Sequence, residues 1–217
     1  MGICSTLLDL LFPPRCTFCR RVLKTDEKGM CASCEKNISR TKHGGAQGGD
    51  FFSVCVSPLY YERSVRESIL RYKFHDATGY ANVYGGLIDD CIRENLAGQY
   101  DIISWVPLSS KRLHKRGYDQ AMLMAMSAAL KLDNVAVELL SKHTDVPAQS
   151  GVGDVAKRRA NISGVYTVAD EELVRGKRIL LIDDIITTGA TLSECAKTLK
   201  LFGAKSVVCA TLARTRE

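Results

Sequence analysis

Several features that mark other classes of protein are absent from this 217-residue sequence. No apolar stretch approaches the roughly 20 residues that a membrane-spanning helix needs. The first residues carry neither the basic segment nor the small-residue cleavage site of a secretory signal. No Gly-Lys-Ser or Gly-Lys-Thr sequence occurs, which excludes a Walker-type phosphate loop. With 46% hydrophobic and 25% charged residues, the sequence predicts a globular protein without a membrane span and with a cytoplasmic location.

Nine cysteines without an export signal indicate reduced thiols and not a disulfide framework. Five are scattered among apolar neighbours and are predicted to be small buried side chains. The other four form two Cys-x-x-Cys pairs separated by 11 residues, which suits a closed tetrahedral Zn²⁺ site. A redox role for one pair is the alternative. The predicted zinc ligands are Cys16, Cys19, Cys31 and Cys34.

The segment around these pairs differs in composition from the rest of the chain. It is short of large aliphatic residues, so bound zinc would supply its folding energy. From Arg15 to Lys42 eight basic residues face three acidic ones, a net +5 out of the chain's +6. The glycine-rich stretch Gly44–Gly49 is predicted to be a flexible linker. We therefore expect a zinc-ribbon module over residues 1–43 and a main domain over residues 50–217.

Beyond residue 50, strand and helix patterns alternate, which predicts an α/β fold with an open sheet. The apolar run Arg178–Ile182 has the length of a central parallel strand covered on both faces. A helical pattern follows this strand, and Gly203 is placed to end that helix. Strands are predicted at 53–60, 101–108, 135–140, 178–182 and 206–213, and helices at 64–74, 77–95, 120–132 and 192–202.

Two adjacent acids and a small-residue turn follow the predicted central strand. Asp183 and Asp184 come first, and the turn then opens a helix whose N-terminal N–H groups favour an anion. An acidic turn before an ordinary capped helix is the alternative. The order of residues resembles the loop of type I phosphoribosyltransferases that binds phosphoribosyl pyrophosphate (PRPP). The resemblance implies that the acids hold the ribose hydroxyls and that the turn cradles the 5-phosphate. The turn residues are Thr187, Thr188, Gly189, Ala190 and Thr191.

A basic segment follows the predicted strand that ends at Pro107. Lys111, Arg112 and Arg116 could bind pyrophosphate, which needs positive charge near its oxygens. A solvated basic loop is the alternative. The sequence VPLSSKRLHKRGYDQA resembles the corresponding segment of the ComF family of phosphoribosyltransferase-like proteins.

A polar, basic connection at residues 144–166 also resembles the ComF pattern. The resemblance implies that Gln149, Arg159 and Asn161 are site or lid residues, and a lid would protect an activated ribose from water. Arg71–Phe74, RYKF, is similar to a further family segment. It could supply Lys73 to the site, or be a solvated helix end.

The resemblance to the ComF family extends from Phe12 to Arg214, with FPPRCTFC in the position of the family's zinc module. It implies a type I phosphoribosyltransferase fold, an open parallel sheet flanked by helices, with an N-terminal zinc ribbon. Many relatives carry a second cysteine cluster, where this chain has the glycine-rich stretch. We therefore predict one zinc ion and not two.

The implied chemistry is displacement of pyrophosphate from C1 of PRPP, assisted by Mg²⁺ and with an unspecified acceptor. The family resemblance also implies a role in DNA uptake during natural competence, with single-stranded DNA or an uptake helicase as a partner. Two alternatives stay open: a non-catalytic accessory protein at incoming DNA, and a regulator that senses PRPP. Phe18 is the only aromatic residue of the cysteine-rich segment, which argues against base stacking there. A homodimer is suggested only by analogy with type I relatives.

Overall fold

In a computed structural model of the chain, which describes residues 12–142 and 164–216, five strands form one parallel sheet. The sheet has the order β1-β7-β6-β3, and β2 also pairs with β7. A separate antiparallel pair consists of β4 and β5. The strands are β1 Cys55–Val56, β2 Leu59–Tyr60, β3 Ile102–Trp105, β4 Leu140–Lys142, β5 Tyr166–Val168, β6 Arg178–Ile186 and β7 Ser206–Arg214.

Helices cover both faces of the sheet. They are α1 Ala32–Asn37, α2 Arg63–Phe74, α3 Tyr80–Asn95, α4 Ser110–Arg116, α5 Gln120–Lys131, α6 Glu171–Val174 and α7 Ala190–Leu201. Along β6, Leu180 and Ile182 pack into one core with α2, α3 and α5. Ile179 and Leu181 point to the opposite core, which α7 closes. This alternation on a strand buried on both faces confirms the predicted open α/β sheet.

Four of the predicted strands have boundaries that differ by more than one residue in the structure, and one of these is the strand predicted at 101–108, which is β3 and ends at Trp105. The strand predicted at 53–60 is split into β1 and β2, because Pro58 has no N–H and the Ser57 N–H donates to the Gly44 carbonyl oxygen. The central strand β6 runs four residues beyond its predicted end, to Ile186, so the two acids lie on it. Within the strand predicted at 135–140, Ala136 forms only a bridge to Ile103, and Leu140 is the first residue of β4.

The basic segment after Pro107 contains a short helix, α4, that the sequence analysis did not predict. The Ser109 hydroxyl accepts a hydrogen bond from the Arg112 N–H at its start. Gly117, at φ 79°, ends it in the left-handed conformation that glycine adopts at little cost. Among the described residues, no helix is both long and apolar enough to cross a membrane.

The cysteine-rich segment shares its core with the helices that follow it. The buried Phe18 ring lies 6.0 Å from the ring of Tyr84 on α3. The prediction of a flexible linker at Gly44–Gly49 is wrong, since Gln47 exchanges two backbone hydrogen bonds with Cys55 of β1. The proposed boundary between residues 43 and 50 therefore separates segments that are hydrogen-bonded and packed together.

Candidate functional site

A cleft of about 390 Å³ opens at the carboxyl ends of β3 and β6. In parallel α/β sheets ligands bind at this edge, because loops from several strands converge there. α2, α4, β4 and β5 contribute side chains to its wall together with the loop after β6. The sequence-predicted residues that line it are Lys73, Arg112, Arg116, Asp183, Asp184, Thr187 and Thr191.

The two adjacent carboxylates lie on the floor of this cleft. Asp183 accepts a hydrogen bond from the Asp184 N–H at 2.8 Å. Burial raises the pKa of Asp183 to about 8, and the negative charges of Asp184 and Asp119 act in the same direction. The Asp183 carboxyl therefore holds its proton more readily than a free aspartate, which reduces the charge repulsion between the two neighbouring acids.

Asp184 forms an ion pair with a residue from the other side of the cleft. The Lys73 ammonium lies 2.7 Å from its Oδ2 atom, and the two side chains are only 17% and 15% exposed. An ion pair this well covered is less screened by water than a surface pair. The last turn of α2 thus brings a cation to the acids, as the family segment RYKF suggested.

A small pocket of about 40 Å³ lies beside the acids, lined by Asp183 and by residues from Ile185 to Leu192. Gly189 precedes α7 with φ 78°, a conformation that disfavours any residue with a Cβ atom. The Thr188 hydroxyl accepts a weak hydrogen bond from the Ala190 N–H at 3.4 Å. Thr187, Thr188, Gly189, Ala190 and Thr191 all line this pocket. The start of a 12-residue helix gives it a positive potential that favours an anion.

Two of the three predicted basic residues face the cleft. Arg112 and Arg116 line it, whereas Lys111 is exposed on α4 and does not. The Arg116 guanidinium donates to the Gln120 side chain at 2.6 Å and lies 5.2 Å from the centre of the Phe74 ring. These contacts hold Arg116 in the wall of the cleft, where no carboxylate of the described residues pairs with its charge.

The four paired cysteines come together as a second candidate site. Their Sγ atoms lie within 4.8 Å of one another, and Cys19 and Cys31 are 3.6 Å apart. A tetrahedron with Zn–S bonds of about 2.3 Å requires sulfur atoms about 3.8 Å apart. Backbone N–H groups of Cys31 and Cys34 donate to the sulfurs of Cys16 and Cys31, both at 3.4 Å. Burial alone would raise the pKa of Cys16, but N–H donors lower it to about 7. This donor set fits a structural zinc ion.

Comparison with known proteins agrees with both sites. Residues 119–217 match the phosphoribosyl transferase domain, and residues 7–45 match the double zinc ribbon domain. Competence protein F of Haemophilus influenzae is 28% identical over 92% of this chain and 96% of its own length. Competence protein ComFC of Streptococcus pneumoniae is 27% identical over 92% of this chain and 87% of its own length. The chain is thus similar over almost its whole length to two competence proteins of the ComF type.

Other similarities cover less of this chain. The DNA utilization protein YhgH of Escherichia coli K12 is 30% identical over 53% of the chain and 50% of its own length. Among solved structures, glutamine PRPP amidotransferase from B. subtilis is similar at a TM-score of 0.46 and 18% identity. That match covers 65% of this chain and 30% of the amidotransferase.

The cleft also contains residues that the sequence analysis missed. Lys142 on β4 donates to the Tyr166 hydroxyl on β5 at 3.1 Å, and both line the cleft. The β4–β5 pair is too short to give a periodic pattern, so no sequence signal marks them. Asp119 is not part of the cleft lining; it is buried, accepts hydrogen bonds from the N–H groups of Leu108 and Met122, and helps to raise the pKa of Asp183. Its position just before an apolar helix is the signal of an N-cap that could have identified it.

The structure leaves three predicted site residues without a position. Gln149, Arg159 and Asn161 fall outside the described residues. Their assignment to the site or to a lid stays a prediction from the family resemblance.

Proposed function

We propose that this protein is a member of the ComF family that binds PRPP in the cleft at the end of β6 and transfers its 5-phosphoribosyl group with release of pyrophosphate. One observation carries the proposal: a carboxylate pair adjoins a pocket at the start of α7, within a cleft whose wall also carries Arg112, Arg116 and Lys142. Each part of PRPP has a chemically matched region. The 5-phosphate is an anion, the ribose offers hydroxyl groups, and pyrophosphate carries several negative charges.

The 5-phosphate belongs in the pocket formed by Thr187–Thr191, where N–H groups and hydroxyls converge. The ribose hydroxyls would then meet Asp183 and Asp184, which are strong hydrogen-bond acceptors when ionised. The pyrophosphate would extend toward Arg112, Arg116 and Lys142 on the opposite wall. Bound Mg²⁺ would neutralise charge on the pyrophosphate oxygens as they leave.

The reaction breaks the bond between C1 of the ribose and the pyrophosphate oxygen and forms a bond from C1 to the acceptor. Positive charge develops on C1 and the ring oxygen, as in glycoside cleavage. Carboxylates near the ribose stabilise this charge, while the arginines and Lys142 stabilise the departing pyrophosphate. The protein therefore contributes position and charge, and the acceptor supplies the nucleophile.

The names of the relatives support a biological setting for this chemistry. Competence proteins and a DNA utilization protein share the architecture, so we place the chain in the uptake or handling of incoming DNA. The basic excess of residues 15–42 favours a second candidate function, direct contact with single-stranded DNA through the zinc ribbon. Such contact would weaken steeply with salt and would not consume PRPP.

Calorimetric titration with PRPP and Mg²⁺ tests the proposed site. We expect saturable binding by the zinc-loaded chain and its loss in the Asp183→Asn/Asp184→Asn double variant. Asp90→Asn, an exposed carboxylate on α3 outside the cleft, is the matched control and should bind normally. Pyrophosphate release during a screen of amine and nucleobase acceptors would then test transfer. A folded wild type that shows no binding rejects the site and favours the DNA-contact function.

A further inference from the structure

Helix α2 is bound directly to the backbone between the first two zinc ligands. The Ser68 hydroxyl donates to the Thr17 carbonyl oxygen at 2.6 Å. The Arg71 guanidinium donates to the carbonyl oxygens of Thr17 and Phe18 at 3.1 and 2.6 Å. Thr17 and Phe18 are the two residues between Cys16 and Cys19. Residues 16–19 form a turn, here called the cysteine turn. A zinc ion would fix this turn, and the same turn holds the middle of α2.

The C-terminal turn of the same helix reaches the candidate PRPP site. Lys73, two residues after Arg71, forms the ion pair with Asp184. Tyr72, between them, is fully buried, and its hydroxyl donates to the Gln120 carbonyl oxygen at 3.1 Å. The Tyr118 hydroxyl in turn donates to the Tyr72 carbonyl oxygen. The helix backbone from Arg71 to Lys73 thus connects the cysteine turn to the floor of the cleft, and the hydrogen bonds of Tyr72 and Tyr118 attach this part of α2 to the start of α5.

Arg71 depends strongly on the position of the cysteine turn. Within residues 12–142 and 164–216 its Nε atom is buried without a hydrogen-bond partner, and the Glu67 carboxylate lies 3.9 Å from Nη1. The hydrogen bonds to the carbonyl oxygens of Thr17 and Phe18 are therefore the short polar contacts of the Arg71 guanidinium. Displacement of the turn would leave a partly buried guanidinium with poorly satisfied donors, which is costly. The helix end would then shift or fray to hydrate it.

We infer that zinc occupancy of the cysteine cluster controls PRPP affinity, because the ordered turn positions α2 and thereby Lys73 against Asp184. The inference rests on the proposed PRPP site and adds a regulation to it. Ser68 and Arg71 are positioning residues in this scheme and do not contact the ligand. Loss of zinc disorders the turn, frees the end of α2 and leaves the acid pair without its fixed counter-ion.

The test uses the zinc-loaded full chain, amide hydrogen exchange over residues 63–74 and calorimetric PRPP affinity in Mg²⁺. Arg71→Met removes the donors to the turn but leaves all four cysteines, so zinc content is measured and should be unchanged. Arg66→Met removes an equal charge from an exposed position on the same helix and is the matched control. Ser68→Ala is a milder second variant that removes one donor to the turn.

Three results are expected. Arg71→Met with zinc bound should exchange faster over residues 63–74 and bind PRPP roughly tenfold more weakly than Arg66→Met. A zinc-selective chelator should produce both changes in the control. It should have little further effect on PRPP affinity in Arg71→Met, because the connection is already broken.

Other results overturn the inference or the proposed function separately. The inference is wrong if zinc-loaded Arg71→Met and Ser68→Ala show the same amide hydrogen exchange over residues 63–74 and the same PRPP affinity as Arg66→Met. If the chelator unfolds the whole chain, the comparison of the zinc-loaded variants with Arg66→Met still tests the inference. If the wild type binds no PRPP, the proposed function fails, while the exchange data still show whether the turn holds α2.

Discussion

Asp183 and Asp184 are neighbours in the chain but have different electrostatic surroundings. Asp184 has the Lys73 ammonium 2.7 Å away, whereas Asp183 is surrounded by protein and by further acids. A carboxyl whose pKa is raised to about 8 from 3.8 keeps its proton in the folded chain and loses it in the unfolded chain between these pH values. Its contribution to the free energy of unfolding therefore decreases as pH rises from about 4 to about 8.

Asp183→Asn should consequently stabilise the chain at alkaline pH, since the amide is never charged. Because the carboxyl keeps some contact with the open cleft, we expect a gain on the order of 2 kcal/mol at pH 8.5 and little gain at pH 4.5. Urea denaturation at the two pH values measures the difference. Asp90→Asn should show no such trend, and a constant effect of Asp183→Asn at both pH values would contradict the assignment.

The raised pKa of Asp183 also predicts a proton linked to ligand binding. Positive charge brought by Mg²⁺ favours the ionised carboxylate, so binding of PRPP and Mg²⁺ at pH 7 should release roughly 0.5 to 1 proton. Titrations in buffers of different ionisation enthalpy measure this number. The same titrations on Asp183→Asn, if it retains weak binding, should release none from this group. Proton uptake by the wild type would rule out this role for Asp183.

At the scale of residues, sequence analysis identified what is contiguous and missed what the fold brings together. Asp183 and the threonine turn follow one another in the chain, so their order alone indicates an anion site. Lys142 and Tyr166 face the cleft only because two short strands pair across a long connection. Lys111 and Arg112 are neighbours, but helix α4 turns only Arg112 toward the cleft.

Two adjacent glycines lie where α3 contacts α5, and they differ in how much space a Cβ atom would have. A Cβ atom at Gly85 would lie 2.6 Å from the Ser127 Cβ atom and 2.9 Å from the Ala128 nitrogen. At Gly86 the nearest atom would be the Lys131 Cε atom at 3.7 Å, an ordinary contact. Close packing of the two helices therefore requires glycine at one position only.

Gly85→Ala should destabilise the chain by about 1–3 kcal/mol, because the α3–α5 contact must open. Gly86→Ala should stabilise it by about 0.5–1 kcal/mol through the higher helix propensity of alanine. Urea denaturation of the two variants beside the wild type provides the comparison. Equal effects of the two substitutions would mean that the helices do not approach each other as described.

At the scale of elements, long periodic segments were predicted well and short ones were not. The helix predicted at 64–74 is α2 at Arg63–Phe74, within one residue at its start, because four buried residues repeat at helical spacing. Helix α4 spans seven residues and buries none, so its pattern resembles a solvated loop. Strand β6 extends into the acids because pairing with β7, and not hydrophobicity, sets its end.

At the scale of the whole molecule, the cysteine-rich segment and the α/β domain share one hydrophobic core. Cys16, Phe18 and Leu23 belong to the same buried cluster as Tyr72 and Tyr84. Composition suggested two units, because the segment is poor in aliphatic residues. Its few apolar residues pack in the same core as residues of α2 and α3, and no local sequence pattern reveals this packing.

A truncated chain of residues 50–217 should therefore be less stable than the full chain. Loss of Phe18 uncovers Tyr84, and loss of the cysteine turn leaves Arg71 without its carbonyl partners. Differential scanning calorimetry should give one transition for the zinc-loaded full chain and a transition at least several degrees lower for the truncated chain. Equal midpoints would show that the two segments are energetically independent.

Strand β7 lies between strands made early and late in synthesis. It pairs with β1 and β2 on one side and with β6 on the other. Ser57 and Thr211, whose hydroxyls share a hydrogen bond 2.7 Å long, are 154 positions apart. At roughly 5–20 residues per second, a ribosome needs about 8–30 s to make the intervening chain. During that time β1 and β2 have no strand to pair with in this sheet, so the nascent chain presents an open edge to chaperones or to its own copies.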